Sequence, residues 1–167
     1  TIISHPYEIL KRNTGSAERQ GFSPADVIYL ITPDRYANGN PDNDSIESLK
    51  EKSNRRNKDG RHGGDIKGII DHLDYISEMG FTQIWLNPVL ENNQKKYSYH
   101  GYSTTDYYNI DERFGTNELY KELSEIAQNK GIGIIMDLIL NHIGSEHWLM
   151  YDLPSSDWIN HNGEFVQ

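Results

Sequence analysis

Three polar residues stand out because of what precedes them. Asp137, Asn141 and His142 lie within or at the end of the run Gly131-Ile132-Gly133-Ile134-Ile135-Met136-Asp137-Leu138-Ile139-Leu140-Asn141-His142. A short, nearly unbroken apolar run fits a parallel strand buried on both faces. The C-terminal ends of such strands are where α/β folds keep their chemistry. Asp137 sits among Ile, Met and Leu, and a carboxylate buried there without a partner is costly.

Two further groups of side chains have chemical potential. Tyr97, Tyr99, His100, Tyr102, Tyr107 and Tyr108 crowd one stretch together with Asp106. A Tyr face can carry the C–H edges of a pyranose ring, and loop packing is the alternative use of such rings. Asn38, Asn40, Asn43 and Asp44, followed by Gly63 and Asp65, offer clustered oxygen donors. Hard oxygen ligands of this kind suit Ca²⁺. The spacing is not that of an EF-hand. An Asx-rich turn and a helix N-cap at Asp65 are the structural alternatives. His5, His62, His72, His147 and His161 have no zinc-ligand spacing and are expected at the surface or in packing. No Gly-x-Ser-x-Gly elbow is present.

The elements that must position these residues alternate. Residues 1–23 form an arm or linker punctuated by Pro6, Gly15 and Gly21. Asp26–Thr32 is a strand candidate stopped by Pro33. A long loop to about Gly64 includes the charged run Lys50–Arg61, expected as a solvated face. Ile66, Ile69, Ile70, Leu73 and Ile76 recur at helical spacing, and Gly80 stands at the C′ position. Phe81–Leu86 is the second strand, followed by a loop from Val89 to Gly115. Thr116 is the expected N-cap of a helix carrying Leu119, Leu123, Ile126 and Ala127 on one face.

The order strand-helix-strand-helix-strand implies a parallel α/β sheet with right-handed crossovers. The long loops all follow strands, which is the pattern of a (β/α)8 TIM barrel elaborated at its C-terminal face. A barrel takes roughly 250 residues, whereas this chain has 167. The expected fold is therefore the first three strand and helix units of a barrel, spanning 24–142, with 143–167 opening an insertion after the third strand. Three parallel strands alone leave two edges open, so the sheet is expected to be completed elsewhere in a larger polypeptide or by a partner that closes it.

Composition narrows the partners. Net charge is −9, which argues against nucleic acid and anionic membrane. There is no cysteine, hence no disulfide or thiolate chemistry. No run approaches the length of a membrane span, and the first residues lack the regions of a signal peptide.

At its strand ends the sequence resembles the α-amylase family of glycoside hydrolases, nearest to the cyclomaltodextrinase and neopullulanase branch. Asp137-Leu138-Ile139-Leu140-Asn141-His142 is similar to that family's first signature. Tyr99-His100-Gly101-Tyr102-Ser103-Thr104-Thr105-Asp106-Tyr107-Tyr108 is similar to its second-strand loop, with Ser103 where many relatives carry Trp. Tyr29 through Asp44, then His62-Gly63-Gly64-Asp65-Ile66-Lys67-Gly68, is similar to the start of the barrel.

The resemblance implies retaining hydrolysis of α-1,4-glucosidic bonds in cyclodextrins, pullulan or maltooligosaccharides. It implies that His142 hydrogen-bonds sugar hydroxyls, and that Tyr102 floors the cleavage subsite with His100 beside it. It implies that Asp137 holds an Arg on a later strand, so Asp137 should lack a partner in this chain. Asn141 and Asp106 are implied loop braces. The nucleophile and acid/base are expected beyond Gln167, so the isolated chain should be inactive; a non-catalytic α-glucan-binding module is the alternative. A structural calcium ion is implied at Asn38, Asn40, Asn43, Asp44, Gly63 and Asp65, with Gly63 giving its carbonyl. The substrate points to a periplasmic or extracellular protein, with cytoplasmic the alternative. A homodimer of the full-length enzyme is a further expectation.

Overall fold

The computed structural model describes residues 8–164 and residue 166; His5, the rest of residues 1–7, and Phe165 and Gln167 lie outside the described residues. The core is a three-stranded parallel sheet in the order β1 (Ile28–Ile31), β2 (Gln83–Leu86), β5 (Gly133–Met136). Ile28 pairs with Gln83 and Gln83 with Gly133, so the strands start level, and Ile31, Leu86 and Met136 end level. Residues 8–27 contain turns but no helix or strand.

Helices α1 (Ile66–Asp71) and α2 (Leu73–Glu78) replace the single helix expected over Ile66–Ile76. The interruption is chemical. The His72 ring Nδ1 lies 2.7 Å from the Gly68 carbonyl oxygen. The His72 backbone N–H turns instead to the Ile69 carbonyl at 3.0 Å. A side chain that takes the i−4 carbonyl removes one rung of the ladder and kinks the helix. The apolar spacing survives the break: Ile66, Ile69, Leu73 and Ile76 are all fully buried.

Helix α3 (Asn117–Asn129) starts where Thr116 caps it, its side chain accepting the Leu119 N–H. Its buried face, Leu123 and Ala127, joins Ile31, Ile84, Leu86, Val89 and Phe114 in the same cluster. Each such side chain contributes about 1.5–3 kcal/mol by leaving water.

Two features depart from the sequence reading. The loop from Val89 to Gly115 contains an antiparallel pair, β3 (Leu90–Glu91) with β4 (Asp106–Ile110). The third strand is also shorter than the apolar run. It stops at Met136, opposite Leu86, because the next N–H position beyond Leu86 that faces it is Pro88, which has none. Nor is this strand buried on both faces: Met136 is 40% exposed, and past the strand Leu140 is 80% exposed. Among the described residues β5 is an edge strand, with no strand paired on its far side.

Candidate functional site

The ends of β2 and β5, with the loop between β3 and β4, bring the aromatic and polar residues together. The Tyr102 hydroxyl donates to Asp137 Oδ2 at 3.0 Å, and the Trp85 indole Nε1–H donates to the same oxygen at 3.3 Å. Asp137 is therefore not short of a partner, as the sequence reading had it. It sits one residue past β5, half-buried, with two neutral donors in place of an Arg.

His142 crosses back to the same loop. Its Nε2 lies 2.8 Å from the Tyr102 carbonyl oxygen. A carbonyl only accepts, so Nε2 carries the hydrogen. Nδ1 is then an acceptor, and the Asn141 side-chain oxygen 3.1 Å away gives it no hydrogen. The ring is exposed and tethered through Nε2, which leaves Nδ1 as an acceptor that a sugar hydroxyl can use.

His100 is set differently. Burial pushes its pKa down, against the opposing pull of Glu51, so the ring is held neutral. Nδ1 accepts the Tyr102 N–H at 2.9 Å, which places the ring hydrogen on Nε2 as a donor. The His100 and Tyr102 rings stack at 5.9 Å and 29°. Burial, and then the Asp137 carboxylate, push the Tyr102 hydroxyl pKa up, keeping it protonated. Gly101 makes the turn between them. Its φ is +84°, and a Cβ would sit 2.0 Å from the Pro88 carbonyl oxygen.

Asp106 does not join this group. Its carboxylate accepts from the Tyr108 N–H at 2.7 Å and the Asn109 amide at 2.8 Å, within its own strand. Tyr107 does the bridging instead. Its hydroxyl lies 2.7 Å from the Ile139 carbonyl and 2.9 Å from the His142 carbonyl, tying β4 to the segment that leaves β5.

The second cluster forms behind the first loop. Asn38 Nδ2 donates to Asp44 Oδ1 at 2.7 Å. The Asn38 and Asn43 side-chain oxygens are buried without a partner. Gly63 has φ +90°, and a Cβ there would meet Asp44 Oδ1 at 2.5 Å and Asn38 Nδ2 at 2.8 Å. Only glycine fits. Burial pushes the Asp44 carboxyl pKa up, and nearby Asp65 and Asp34 add to the rise against the Asn38 hydrogen bond. Orphaned amide oxygens beside a destabilised carboxylate are a donor set that a hard cation would satisfy. Asp65 and Asn40 are already engaged. Asp65 caps α1 at Gly68 N, 2.6 Å, and also accepts the Gly39 and Asn40 N–H groups. Asn40 caps the turn at Pro41–Asn43 through the Asp42 N–H.

Sequence reasoning missed two features. Trp85 was taken as a strand residue only. The buried ion-pair joint was missed entirely. Arg61, read as part of a solvated run, is 1% exposed, with its guanidinium 4.5 Å above the Phe114 ring. It lies between Asp34, at 3.8 Å, and Asp111, at 3.9 Å. Arg113 grips Asp111 through Nε at 2.8 Å and Nη2 at 2.7 Å. Burial pushes the Asp111 carboxyl up, but the Arg113 hydrogen bonds and the Arg61 and Arg113 charges outweigh it and hold it below its ordinary range. Asp34 also accepts the His62 N–H at 2.8 Å. The joint therefore locks the first loop to the second. Its sequence signal was the acid-base spacing Asp111-x-Arg113 beside the apolar Phe114.

Comparison with known proteins matches residues 30–161 to the catalytic domain of α-amylase. A β/α-amylase of Paenibacillus polymyxa is 41% identical over 83% of this chain and 12% of its own length. Neopullulanase 2 of Thermoactinomyces vulgaris is 38% identical over 76% of this chain and 21% of its own. An α-amylase structure from Anoxybacillus superposes with a TM-score of 0.69 and 42% identity, covering 79% of this chain and 27% of that one. The chain thus spans about an eighth to a quarter of the length of these relatives. The parallel strand order, the loops gathered at the strand ends and these matches make the chain a member of the α-amylase family, formed from part of its TIM-barrel catalytic domain.

Proposed function

We propose that these residues form one wall of the active site of an α-glucan hydrolase acting on α-1,4-glucosidic bonds in cyclodextrins, pullulan or maltooligosaccharides. The observation that carries the reading is the convergence of Tyr102, from the loop between β3 and β4, with Asp137 and His142, from the segment leaving β5; the Tyr102 hydroxyl is 3.0 Å from Asp137 and the Tyr102 carbonyl 2.8 Å from His142. Tyr102 offers a ring face held in place by Asp137. His100, neutral and donating from Nε2, and His142, with its exposed imidazole, supply hydrogen bonds to hydroxyls at the rim. Asn141 stands beside His142 on the segment leaving β5, while Asp106 fixes only its own strand, β4.

In this reading the chemistry is retaining, with a nucleophile and an acid/base roughly 5–5.5 Å apart. Asp137 and Asp106 are both engaged in fixed hydrogen bonds and neither is that pair. The reacting carboxylates come from outside residues 1–167, from the remainder of the barrel in the same polypeptide, and the isolated chain is inactive. Release of an α-anomeric product from maltooligosaccharides, followed by proton NMR, tests the mechanism. A β-anomeric product, or no hydrolysis of any α-glucan by the full polypeptide, would sink it.

The cation-binding loop belongs to the same proposal. Asn38, Asn43, Asp44 and the Gly63 carbonyl would hold calcium, with Asp65 and Asn40 fixing the loop around it. A bound ion would supply positive charge to the Asp44 carboxylate and partners to the two orphaned amide oxygens. Calorimetric titration with calcium should release or absorb heat and raise the melting temperature; a flat titration with no thermal shift removes the site. Polymeric glucan and calcium as partners favour a periplasmic or extracellular setting, and assembly as a homodimer is part of the same expectation.

A further inference from the structure

Tyr107 stands on β4, and its ring packs against the hydrophobic core. On another side it meets the ring of His147, 6.0 Å away and itself buried. The hydroxyl at the end of this anchored ring reaches the segment that leaves β5. It lies 2.7 Å from the Ile139 carbonyl oxygen and 2.9 Å from the His142 carbonyl oxygen. Carbonyl oxygens only accept, so the hydroxyl is the donor and shares its one hydrogen between them. Burial pushes the Tyr107 pKa up, which keeps that hydrogen in place.

Residues 102–104 hold the same segment at two more points. The Tyr102 carbonyl takes the His142 Nε2–H at 2.8 Å, and the Thr104 carbonyl takes the Gly144 N–H at 2.8 Å. Gly144 passes so close that a Cβ there would sit 2.4 Å from the Ser103 carbonyl oxygen. His142 is thus fixed through its ring, through its own carbonyl and through the residue two places on. All of these partners belong to this chain, so no strand added at the edge of β5 is needed to make the arrangement. Two of the three partners are backbone carbonyls. The third, the Tyr107 hydroxyl, is a side-chain group that can be removed while its ring stays in the core. Tyr108, next along β4, faces the other way and is 87% exposed.

We infer that Tyr107 is a positioning residue for His142: its hydroxyl clamps the bend at residues 139–142 and so sets where the imidazole, tethered to Tyr102, meets sugar. The inference rests on the α-glucan reading of the strand-end cluster. Tyr107 touches no substrate in this assignment and acts only through His142. Without the hydroxyl the Ile139 and His142 carbonyls lose their shared donor, the bend is free to shift, and the Nε2 tether slackens with it.

Tyr107→Phe in the full polypeptide that contains this chain tests it, alone and combined with His142→Ala. Alone, it should lower kcat/KM on maltooligosaccharides about tenfold, chiefly through kcat, since a displacement of about 1 Å caused away from the chemistry can cost as much as roughly 10²-fold. In the His142→Ala background the same substitution should change kcat/KM by less than about twofold, because the residue it positions is gone. Tyr108→Phe should leave kcat/KM unchanged. Equal losses from Tyr107→Phe in both backgrounds mean that the hydroxyl acts through the fold at large, and they overturn the inference. So does an active Tyr107→Phe beside an impaired His142→Ala, or an equal loss in Tyr108→Phe. A second measurement needs no activity. Nuclear magnetic resonance of isotope-labelled histidine, with His142 assigned by its loss in His142→Ala, should show the Nε2–H tautomer in the wild type. Tyr107→Phe should give His142 a mixture of tautomers and leave His100 unchanged. A His142 that lacks the Nε2–H tautomer in the wild type, or keeps it in Tyr107→Phe, overturns the inference. If the full polypeptide hydrolyses no α-glucan, or His142→Ala is fully active, the wider reading fails, while the tautomer comparison still decides whether Tyr107 positions His142.

Discussion

Asp111 and Asp137 are both carboxylates next to a parallel sheet, and they are used in opposite ways. Asp111 is fully buried and is gripped by Arg113, by the Asn92 N–H at 3.1 Å, and by Arg61 farther off. Asp137 is half-buried and receives only the Tyr102 hydroxyl and the Trp85 indole. The first carboxylate has full charges for partners and fixes one loop to another. The second has neutral donors, and part of its surface remains open. Buried charges need ionic partners and tolerate no loss, so the Asp111 joint serves the fold. An open, lightly held carboxylate keeps capacity for another donor, which fits the site role proposed for the Asp137 cluster.

The contrast can be broken in a series of steps. Asp111→Ala leaves Arg113 and Arg61 buried without their shared anion and should destabilise the protein by roughly 3–5 kcal/mol in denaturant melts. A loss under 1 kcal/mol would mean that the joint is incidental. Tyr102→Phe removes one hydrogen bond to a half-exposed carboxylate and should cost about 1 kcal/mol, since bonds to charged groups contribute about 1.5–3 kcal/mol before solvent screening. Thr116→Ala, at the α3 cap, should cost about 1 kcal/mol and leave activity unchanged.

The smallest effect concerns pH, and here the two kinds of carboxylate should show opposite signs. The folded pKa of Asp111 lies below its ordinary 3.8, so its stabilisation is present above that value and lost as pH falls through the lowered one. The folded pKa of Asp44 lies above 3.8, so its contribution is present below that value and lost as pH rises through the raised one. Without calcium, Asp44→Asn at neutral pH should therefore stabilise slightly, within about 0.5 kcal/mol. With calcium the same substitution should abolish the thermal shift. Destabilisation by Asp44→Asn without calcium would contradict the strained-carboxylate account.

What could be read in the sequence was what periodicity and punctuation carry. The spacing Ile66, Ile69, Leu73, Ile76 identified the buried helical face, Thr116 the cap, and Pro33 and Pro88 the strand limits. The kink at His72 was hidden, because a side chain that takes a backbone carbonyl leaves the apolar pattern intact. Arg61 was misassigned for a similar reason. The run before it, Asn54–Lys58, is exposed, and the carboxylates that pull it inward lie 27 and 50 positions away. The strand ending at Met136 shows the limit of apolar runs. Leu138 and Leu140 look like continued strand, but β2 offers no ladder past Leu86. At the site, residue types pointed to Tyr102, His100 and His142, and geometry supplied the Trp85 and Tyr102 donors to Asp137.

The most direct test of the central claim is His142→Ala in the full polypeptide, assayed on maltooligosaccharides with the melting temperature measured alongside. Loss of a hydrogen bond that strengthens in the transition state should lower kcat/KM roughly 10²–10³-fold, chiefly through kcat. The melting temperature should stay near wild type, because the ring is exposed. An unchanged kcat/KM, or a loss that tracks a fall in melting temperature, would contradict a role for the strand-end cluster in holding sugar.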